Sequence, residues 1–363
     1  MKRVALIVGT RPEAIKLAPL VLALRESAGF KPFVINTRQH PELADEMLGL
    51  FGITADLSLK VFFSGQSLNS LSARLLEEFR PVLEREQFAA LFVQGDTTSA
   101  FCGALAGFYA DVPVAHVEAG LRTSTPRLPF PEEMNRRLIT RLVQRHYAPT
   151  QRAVGNLLAE GIDNDTIQLT GNTGIDAARL IGERLEESVD SGGAYVLCTM
   201  HRRENWGAGV EAVCVGIRRL VEADPQLRIV FIKHPNPIVA DLIDERLTGE
   251  QRVMLLPPQP YEQFLKLFRQ CALVISDSGG VAEEASVFKK PVLIARDETE
   301  RVEALEAGYA QVVGTDSELI FQAAAYLLSH PLGSATFSDP FGDGHAAEYI
   351  VKDMETSLWF QNV

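Results

Sequence analysis

The chain repeats one pattern: a short apolar run, a polar turn, then a stretch with helical spacing. Val4-Ala5-Leu6-Ile7-Val8 is unbroken and apolar, as in a strand buried on both faces of a parallel sheet. Gly9-Thr10-Arg11-Pro12 ends it, and Pro12 suits a first helical turn, where a missing N–H costs nothing. Ile15, Leu17, Ala18, Leu20, Val21, Leu22 and Leu24 follow at helical spacing. Further strands are predicted over Lys31 to Asn36, Ala89 to Val93, Val114 to Val117 and His146 to Ala148. Helices are predicted over Glu42 to Leu50, Ser67 to Leu83, Ser99 to Tyr109, Pro131 to Leu142 and Thr150 to Glu160. A connecting region, Gly171 to Gly193, ends in Ser191-Gly192-Gly193, and then the pattern restarts. Its strands are Tyr195 to Met200, Leu227 to Lys233, Ala272 to Ser276 and Val292 to Ala295. Its helices are Val210 to Ala223, Gln259 to Arg269, Val281 to Phe288 and Leu319 to Leu328. Strands alternating with helices predict an α/β protein of two Rossmann-like domains, 1–172 and 173–345, each around a mostly parallel sheet.

Length agrees, since 363 residues exceed what one hydrophobic core usually supports. With 46% hydrophobic and 23% charged residues, the composition is that of an ordinary globular protein. A net charge of −12 disfavours nucleic acid and anionic membranes as general partners, although amides and a few arginines can hold a phosphate locally. The apolar run behind Met1-Lys2-Arg3 is too short for a signal peptide, and no apolar segment reaches ~18 residues. A cytoplasmic location is therefore expected. Cys102, Cys198, Cys214 and Cys271 form no close pair and no metal spacing, so reduced, packed thiols and no structural metal are expected.

Chemistry-bearing residues gather where the predicted strands end: Arg11, Asp96, Glu118, His201, His234 and Ser278. Ligands of parallel sheets sit at those carboxyl ends, so the clustering points to a ligand cleft shared by the two domains. Ser278-Gly279-Gly280 lies between a strand and a helix. The glycines allow close backbone approach, and the helix start offers amides to a diphosphate. Glu284 one turn later could take ribose hydroxyls, or could equally be a first-turn charge favoured by the helix dipole. Gly9-Thr10-Arg11 is a second candidate phosphate contact. No G-x-G-x-x-G follows the first strand and no G-x-x-x-x-G-K-[ST] occurs, which disfavours a nicotinamide enzyme and an ATPase. On local pattern alone, Asp96 reads equally as a turn or cap residue ahead of Thr97-Thr98. Lys16 on the same basis reads as an ordinary helix lysine.

Taken together, the motifs resemble those of the nonhydrolysing UDP-N-acetylglucosamine 2-epimerases. They are Gly9 to Lys16, Gln94-Gly95-Asp96-Thr97-Thr98, His116 to Thr123, Pro129 to Glu133 with Asn135-Arg136, and Thr170 to Thr173. The second half adds Met200 to Asn205, Ser276 to Gly280 with Glu283-Glu284, Thr299-Glu300-Arg301, and Phe341 to Gly344. The resemblance implies a GT-B-type fold with an interdomain cleft, a C-terminal helix (346–363) returning to the first domain, and a homodimer. It also implies interconversion of UDP-GlcNAc and UDP-ManNAc without nicotinamide cofactor or metal. Carried over residue by residue, it makes Asp96, Glu118 and Glu132 the functional carboxylates and Lys16 a lysine needed for activity. Arg11 and His201 would steady the diphosphate, and Arg136 would pair with an anion or carboxylate, its neighbour Arg137 fitting plain surface charge. His234, Ser278, Gly279, Gly280, Glu284 and Arg301 would contact the UDP-sugar.

Four places depart from the family's pattern. Gln39-His40-Pro41-Glu42 and Gly65 stand where an arginine-bearing loop and a further arginine are usual, which removes support for a second, activating nucleotide sugar. His234-Pro235-Asn236-Pro237 and Thr299-Glu300-Arg301-Val302-Glu303 leave room for a modified sugar. The alternatives are a hydrolysing epimerase, a GT-B glycosyltransferase and a nucleotide-sugar sensor without chemistry.

Overall fold

The computed structural model describes residues 1–363 except 64, 124, 128, 186–194, 334–336, 358, 359 and 361–363. The stretch Ser191-Gly192-Gly193 therefore lies outside the described residues. The chain divides into two compact units, Met1–Ala177 with Phe341–Val363, and Ala178–Pro340.

In the first unit, strands β1 (Lys2–Val8), β2 (Phe30–Asn36), β3 (Leu57–Ser58), β4 (Ala90–Gln94), β5 (Val114–Val117), β6 (Arg145–Ala148) and β7 (Ile167–Leu169) form one sheet. Helices α1 (Arg11–Glu26), α2 (Pro41–Leu50), α3 (Leu68–Glu86), α4 (Thr98–Tyr109), α5 (Glu132–Leu142) and α6 (Gln151–Ala159) alternate with them, and α7 (Thr173–Arg184) starts in this unit and runs on into the second. The strand order is β3-β2-β1-β4-β5-β6-β7 and each pairing is parallel. Val4 to Val8 are fully buried, as an apolar run without alternation requires when helices cover both faces. α7 occupies most of the stretch expected to be a connection. Its apolar residues Ile175, Ala177, Ala178 and Ile181 are buried, but few residues at helical spacing separate it in sequence from a polar linker.

The second unit repeats the plan with β8 (Tyr195–Thr199), β9 (Arg228–Ile232), β10 (Val253–Leu256), β11 (Leu273–Ser276), β12 (Val292–Ile294) and β13 (Ala310–Val312). Between them run α8 (Ala208–Ala223), α9 (Pro237–Leu247), α10 (Tyr261–Gln270), α11 (Gly279–Phe288), α12 (Val302–Glu306) and α13 (Ser317–Ser329). The order β10-β9-β8-β11-β12-β13 again reverses beside the first strand of the unit. Both sheets thus have a topological switch point, between β1 and β4 and between β8 and β11, where doubly wound folds bind ligands. All four cysteines are free and buried. Among the described residues, no helix is long and apolar enough to cross a membrane.

The last helix, α14 (Ala346–Thr356), belongs to the first unit. Ala347 N–H donates to Asp176 Oδ1 at 2.8 Å, and Asn172 N–H donates to the Phe341 carbonyl at 2.7 Å. Gly171 and Gly342 meet backbone to backbone, and a Cβ on Gly342 would lie 2.8 Å from the Gly171 Cα. Asp353 of α14 pairs with the Arg145 guanidinium and accepts from the Tyr147 hydroxyl at 2.9 Å. Burial, followed by the Asp353 charge, holds the Tyr147 hydroxyl well above its ordinary pKa. Removing one member of such a buried group strands the others. Asp353→Ala is therefore expected to lower stability by about 3 kcal/mol or more, read as a shifted urea midpoint; a shift worth under about 0.5 kcal/mol would show that α14 is held by its apolar face alone.

Candidate active site

The first switch point carries a dense polar cluster. Glu118 follows β5 and is buried, with φ +67, a left-handed conformation unusual for a non-glycine residue and common at functional sites. Its carboxylate accepts from Lys16 Nζ at 2.6 Å and from the Gln94 amide. A Cβ built on Gly95 would lie 3.8 Å from Glu118 Oε2, so this carboxylate flanks the loop that presents Asp96. Asp96 pairs with Arg136, and its own carbonyl accepts from Asn135 Nδ2 at 2.8 Å. Both partners stand on α5, one turn beyond Glu132. Glu132 itself has one buried oxygen, Oε2, with no hydrogen-bond partner among the described residues. A buried polar atom left unpaired in a native fold asks for an explanation, and a ligand group supplies one.

Residues that the sequence did not single out hold this arrangement. Glu133, fully buried, receives Arg136 at 2.9 Å, Arg137 at 2.7 Å and the Thr123 amide at 3.1 Å. Arg137 is thereby tied to the interior and is not plain surface charge. His116, buried within β5, has its Nε2 at 2.8 Å from the Gly95 carbonyl. Burial pushes its pKa down to about 3, so the ring is neutral and Nε2 carries the proton it donates. A histidine inside the apolar run Val-Ala-His-Val was the available signal for that role.

The loop after β1 turns its amides inward. Gly9 N–H and Thr10 N–H donate to Glu13 Oε2 at 2.9 and 2.7 Å, and the Thr10 hydroxyl joins them at 2.8 Å. Thr97 Oγ1 donates to Glu13 Oε1 at 2.6 Å. What this loop offers an anion is consequently the half-buried Arg11 side chain rather than its backbone. Gly9 is set by space: a Cβ there would be 2.3 Å from Thr37 Oγ1 and 2.4 Å from Ser99 Oγ.

The second switch point is organised around Asp277, also fully buried. Its carboxylate accepts from His201 N–H at 2.7 Å, Arg202 N–H at 3.0 Å and Asn205 Nδ2 at 2.9 Å. This fastens the loop after β8 to the turn after β11. The His201 Nε2 lies 2.6 Å from Thr199 Oγ1. The His234 ring stands 6.1 Å from His201 and 5.5 Å from Trp206, both edge-on. Asn236 N–H donates to His234 Nδ1 at 2.9 Å, and partial burial lowers the His234 pKa, so the neutral ring has Nε2 as its N–H. Ser278 is the N-cap of α11, yet its side chain does not cap the helix. Gly279 and Gly280 are the first two residues of that helix, without positive φ. Their value is therefore room rather than backbone freedom. Arg301 lies over Gly279, its Cζ 3.4 Å from where a Cβ would sit, and pairs with Glu283 at 2.8 Å. A helix start with a guanidinium beside it is suited to an anionic group. Glu284, next to the buried Glu283, accepts from the Tyr261 hydroxyl at 2.5 Å. Glu300 remains at a pKa of about 2: burial would raise it, but Arg296 and Arg301 outweigh that.

These are two doubly wound sheets, one with a carboxylate cluster at its switch point and the other with a helix start open to anions. Together they define an α/β enzyme of phosphate-bearing small molecules. A model of the UDP-N-acetylglucosamine 2-epimerase family matches residues 22–355. The chain is 39% identical to a UDP-N-acetylglucosamine 2-epimerase of Yersinia pestis, over 97% of this chain and 98% of that one. The structure of the Neisseria meningitidis UDP-GlcNAc 2-epimerase bound to UDP-GlcNAc superposes with a TM-score of 0.91 at 37% identity, covering 98% of this chain and 100% of that one. A Methanocaldococcus jannaschii UDP-GlcNAc 2-epimerase in complex with UDP-GlcNAc and UDP gives 0.84 at 31% identity, over 97% and 99%. The chain belongs to the UDP-N-acetylglucosamine 2-epimerase family, with the GT-B-like two-domain fold of its relatives.

Glu13 yields a prediction independent of that assignment. Four donors favour its anion, but complete burial outweighs them and raises its pKa from 4.5 to about 7. A raised folded-state pKa contributes stability that is whole below about pH 4.5 and declines until about pH 7, by about 3 kcal/mol in all. Glu13→Gln cannot titrate. Urea unfolding between pH 4.5 and 8 should show this decline in the native protein and lose it in the variant; parallel profiles would contradict it.

Proposed function

We propose that this chain catalyses reversible epimerisation at C2 of UDP-N-acetylglucosamine, without hydrolysing it. The first unit's carboxylates act on the sugar, and the His201 loop and α11 start of the second hold the UDP. The observation that supports the reading is that Glu118 flanks the strand-end loop of Asp96, and that Glu132, whose buried Oε2 has no hydrogen-bond partner among the described residues, starts the helix whose Arg136 pairs with Asp96.

The C2 proton is not acidic, because no carbonyl adjoins that carbon. Elimination avoids a free carbanion. A base takes the C2 proton as the C1–O bond to UDP breaks, and the electron pair becomes the C1–C2 double bond of 2-acetamidoglucal. The reverse addition, with a proton delivered to C2 from the opposite face, gives the epimer. The route needs a base, an acid on the other face, and charge stabilisation for departing UDP. Asp96 is the principal acid or base in this reading, with Glu118 and Glu132 sharing the opposite face. Lys16 orients Glu118. Arg11, His201, Ser278 and Arg301 stabilise the diphosphate, and His234 and Glu284 complete the nucleotide contacts. Arg136 holds Asp96. We further propose that the protein works as a homodimer, and that no metal or nicotinamide takes part.

Turnover of UDP-GlcNAc in deuterated water tests the reaction. Solvent deuterium at C2 of intact UDP-GlcNAc and UDP-ManNAc is expected. Free ManNAc with UDP would instead mark a hydrolysing enzyme, and absence of both exchange and epimer would reject this substrate. Asp96→Asn should lower kcat by about a hundredfold or more while leaving calorimetric binding of UDP nearly unchanged. A variant retaining most of its kcat would remove Asp96 from the chemistry.

A further inference from the structure

We propose that Glu13 is a positioning residue for Asp96, its buried carboxylate clamping the loop after β1 to the Thr97 hydroxyl across the first switch point. The kinetic part of this proposal rests on the epimerase reading; the structural part does not.

The ordinary explanation of Glu13 is a helix cap. Thr10-x-x-Glu13 has the capping-box spacing, and the Glu13 side chain does receive the Thr10 amide at 2.7 Å. A cap does not account for the rest. Glu13 is completely buried, whereas a cap at a helix end needs no such desolvation. It gathers a second amide, Gly9 at 2.9 Å, from before the helix. Its other oxygen takes the Thr97 hydroxyl at 2.6 Å, a bond 84 residues away in sequence. Thr97 Oγ1 in turn accepts from Ala100 N–H at 3.0 Å, as N-cap of α4. One hydroxyl therefore joins Glu13 to the start of α4.

Asp96 is the residue immediately before Thr97. The Gly95 carbonyl on its other side is held by His116, its own carbonyl by Asn135, and its carboxylate by Arg136. Glu13 supplies a further restraint, from β1's side of the crevice, and the same carboxylate sets the turn that leads into Arg11. The packing beneath agrees. Gly9 has no room for a Cβ against Thr37 and Ser99, whose hydroxyls lie 2.8 Å apart, so the loop after β1 also meets α4 two residues beyond Thr97. Loosening Glu13 should shift Asp96 without removing any group that touches the sugar.

The test uses the full chain and four variants: Glu13→Gln, Thr97→Val, Thr97→Ser and the double Glu13→Gln/Thr97→Val. Thr97→Val breaks the clamp without altering the buried carboxylate, so the question survives even if Glu13→Gln folds poorly. Amide hydrogen exchange and steady-state turnover are measured on each. Glu13→Gln and Thr97→Val should both speed exchange in peptides covering residues 9–12 and 95–98, leaving peptides of the second unit at native rates. Each should lower kcat about tenfold or more with KM changed about twofold at most. Thr97→Ser keeps the hydroxyl and should restore both readouts. The double variant should be no slower than the worse single one, because both break one link. Native exchange at residues 95–98 in Thr97→Val, or kcat losses that multiply in the double variant, would overturn the proposal. If the unmodified protein does not turn over UDP-GlcNAc, the epimerase reading fails, and the exchange rates alone decide the clamp.

Discussion

Where β1 parts from β4, and again where β8 parts from β11, neighbouring strands send the chain in opposite directions. The amides beyond their last ladder bonds then have no strand to pair with. Buried backbone donors must find acceptors, and at both places the acceptor is a fully buried carboxylate, Glu13 in one unit and Asp277 in the other. Each gathers amides from the loop after its unit's first strand. Each also belongs to, or bonds with, the element beyond the neighbouring strand. The arrangement opens a crevice at the strand ends while making its walls rigid.

That rigidity is what allows charged side chains to be presented without collapse. Asp96 is restrained through its neighbours' backbone and through Arg136, while Glu118 is held by Lys16 and Gln94 in a left-handed backbone conformation. In the second unit the fixed loop leaves His201 exposed and directs His234 edge-on toward it. The two units thus use one construction for different ends. One concentrates carboxylates, which suits proton transfer. The other keeps a helix start, an arginine and two histidines together, which suits an anion.

The elements were legible in the sequence wherever hydrophobic periodicity was strong. Val4 to Val8 could only be a doubly covered strand, and the helices after it followed from their spacing. The weak points were α7, α9 and α12 and the short strands β3, β7, β10 and β13, none of which was predicted. Their apolar residues are few, and their positions depend on what packs on them. Candidate site residues were legible because strand-end polar residues stand out after apolar runs, and because the motif set matches a family. Glu133, Asp277 and His116 did not stand out. A carboxylate that serves other protein groups looks in sequence like any charged residue in a loop or helix, and the one mark of His116 was its place inside an apolar strand.

By itself, then, the sequence determined the alternation of strand and helix, the two-unit plan, the family and the residue types at the strand ends. Those depend on local periodicity and on short motifs. Only the tertiary structure decided which carboxylates gather the protein's own amides and hydroxyls and which stand beside the strand-end loop of Asp96. Glu13 and Glu118 are both buried acids beside a strand end, yet one receives four hydrogen bonds from protein amides and hydroxyls while the other pairs with Lys16 and flanks the loop of Asp96. That distinction comes from residues up to about a hundred positions apart being brought within hydrogen-bond distance, as Lys16 and Glu118 are, and nothing in the local pattern encodes it.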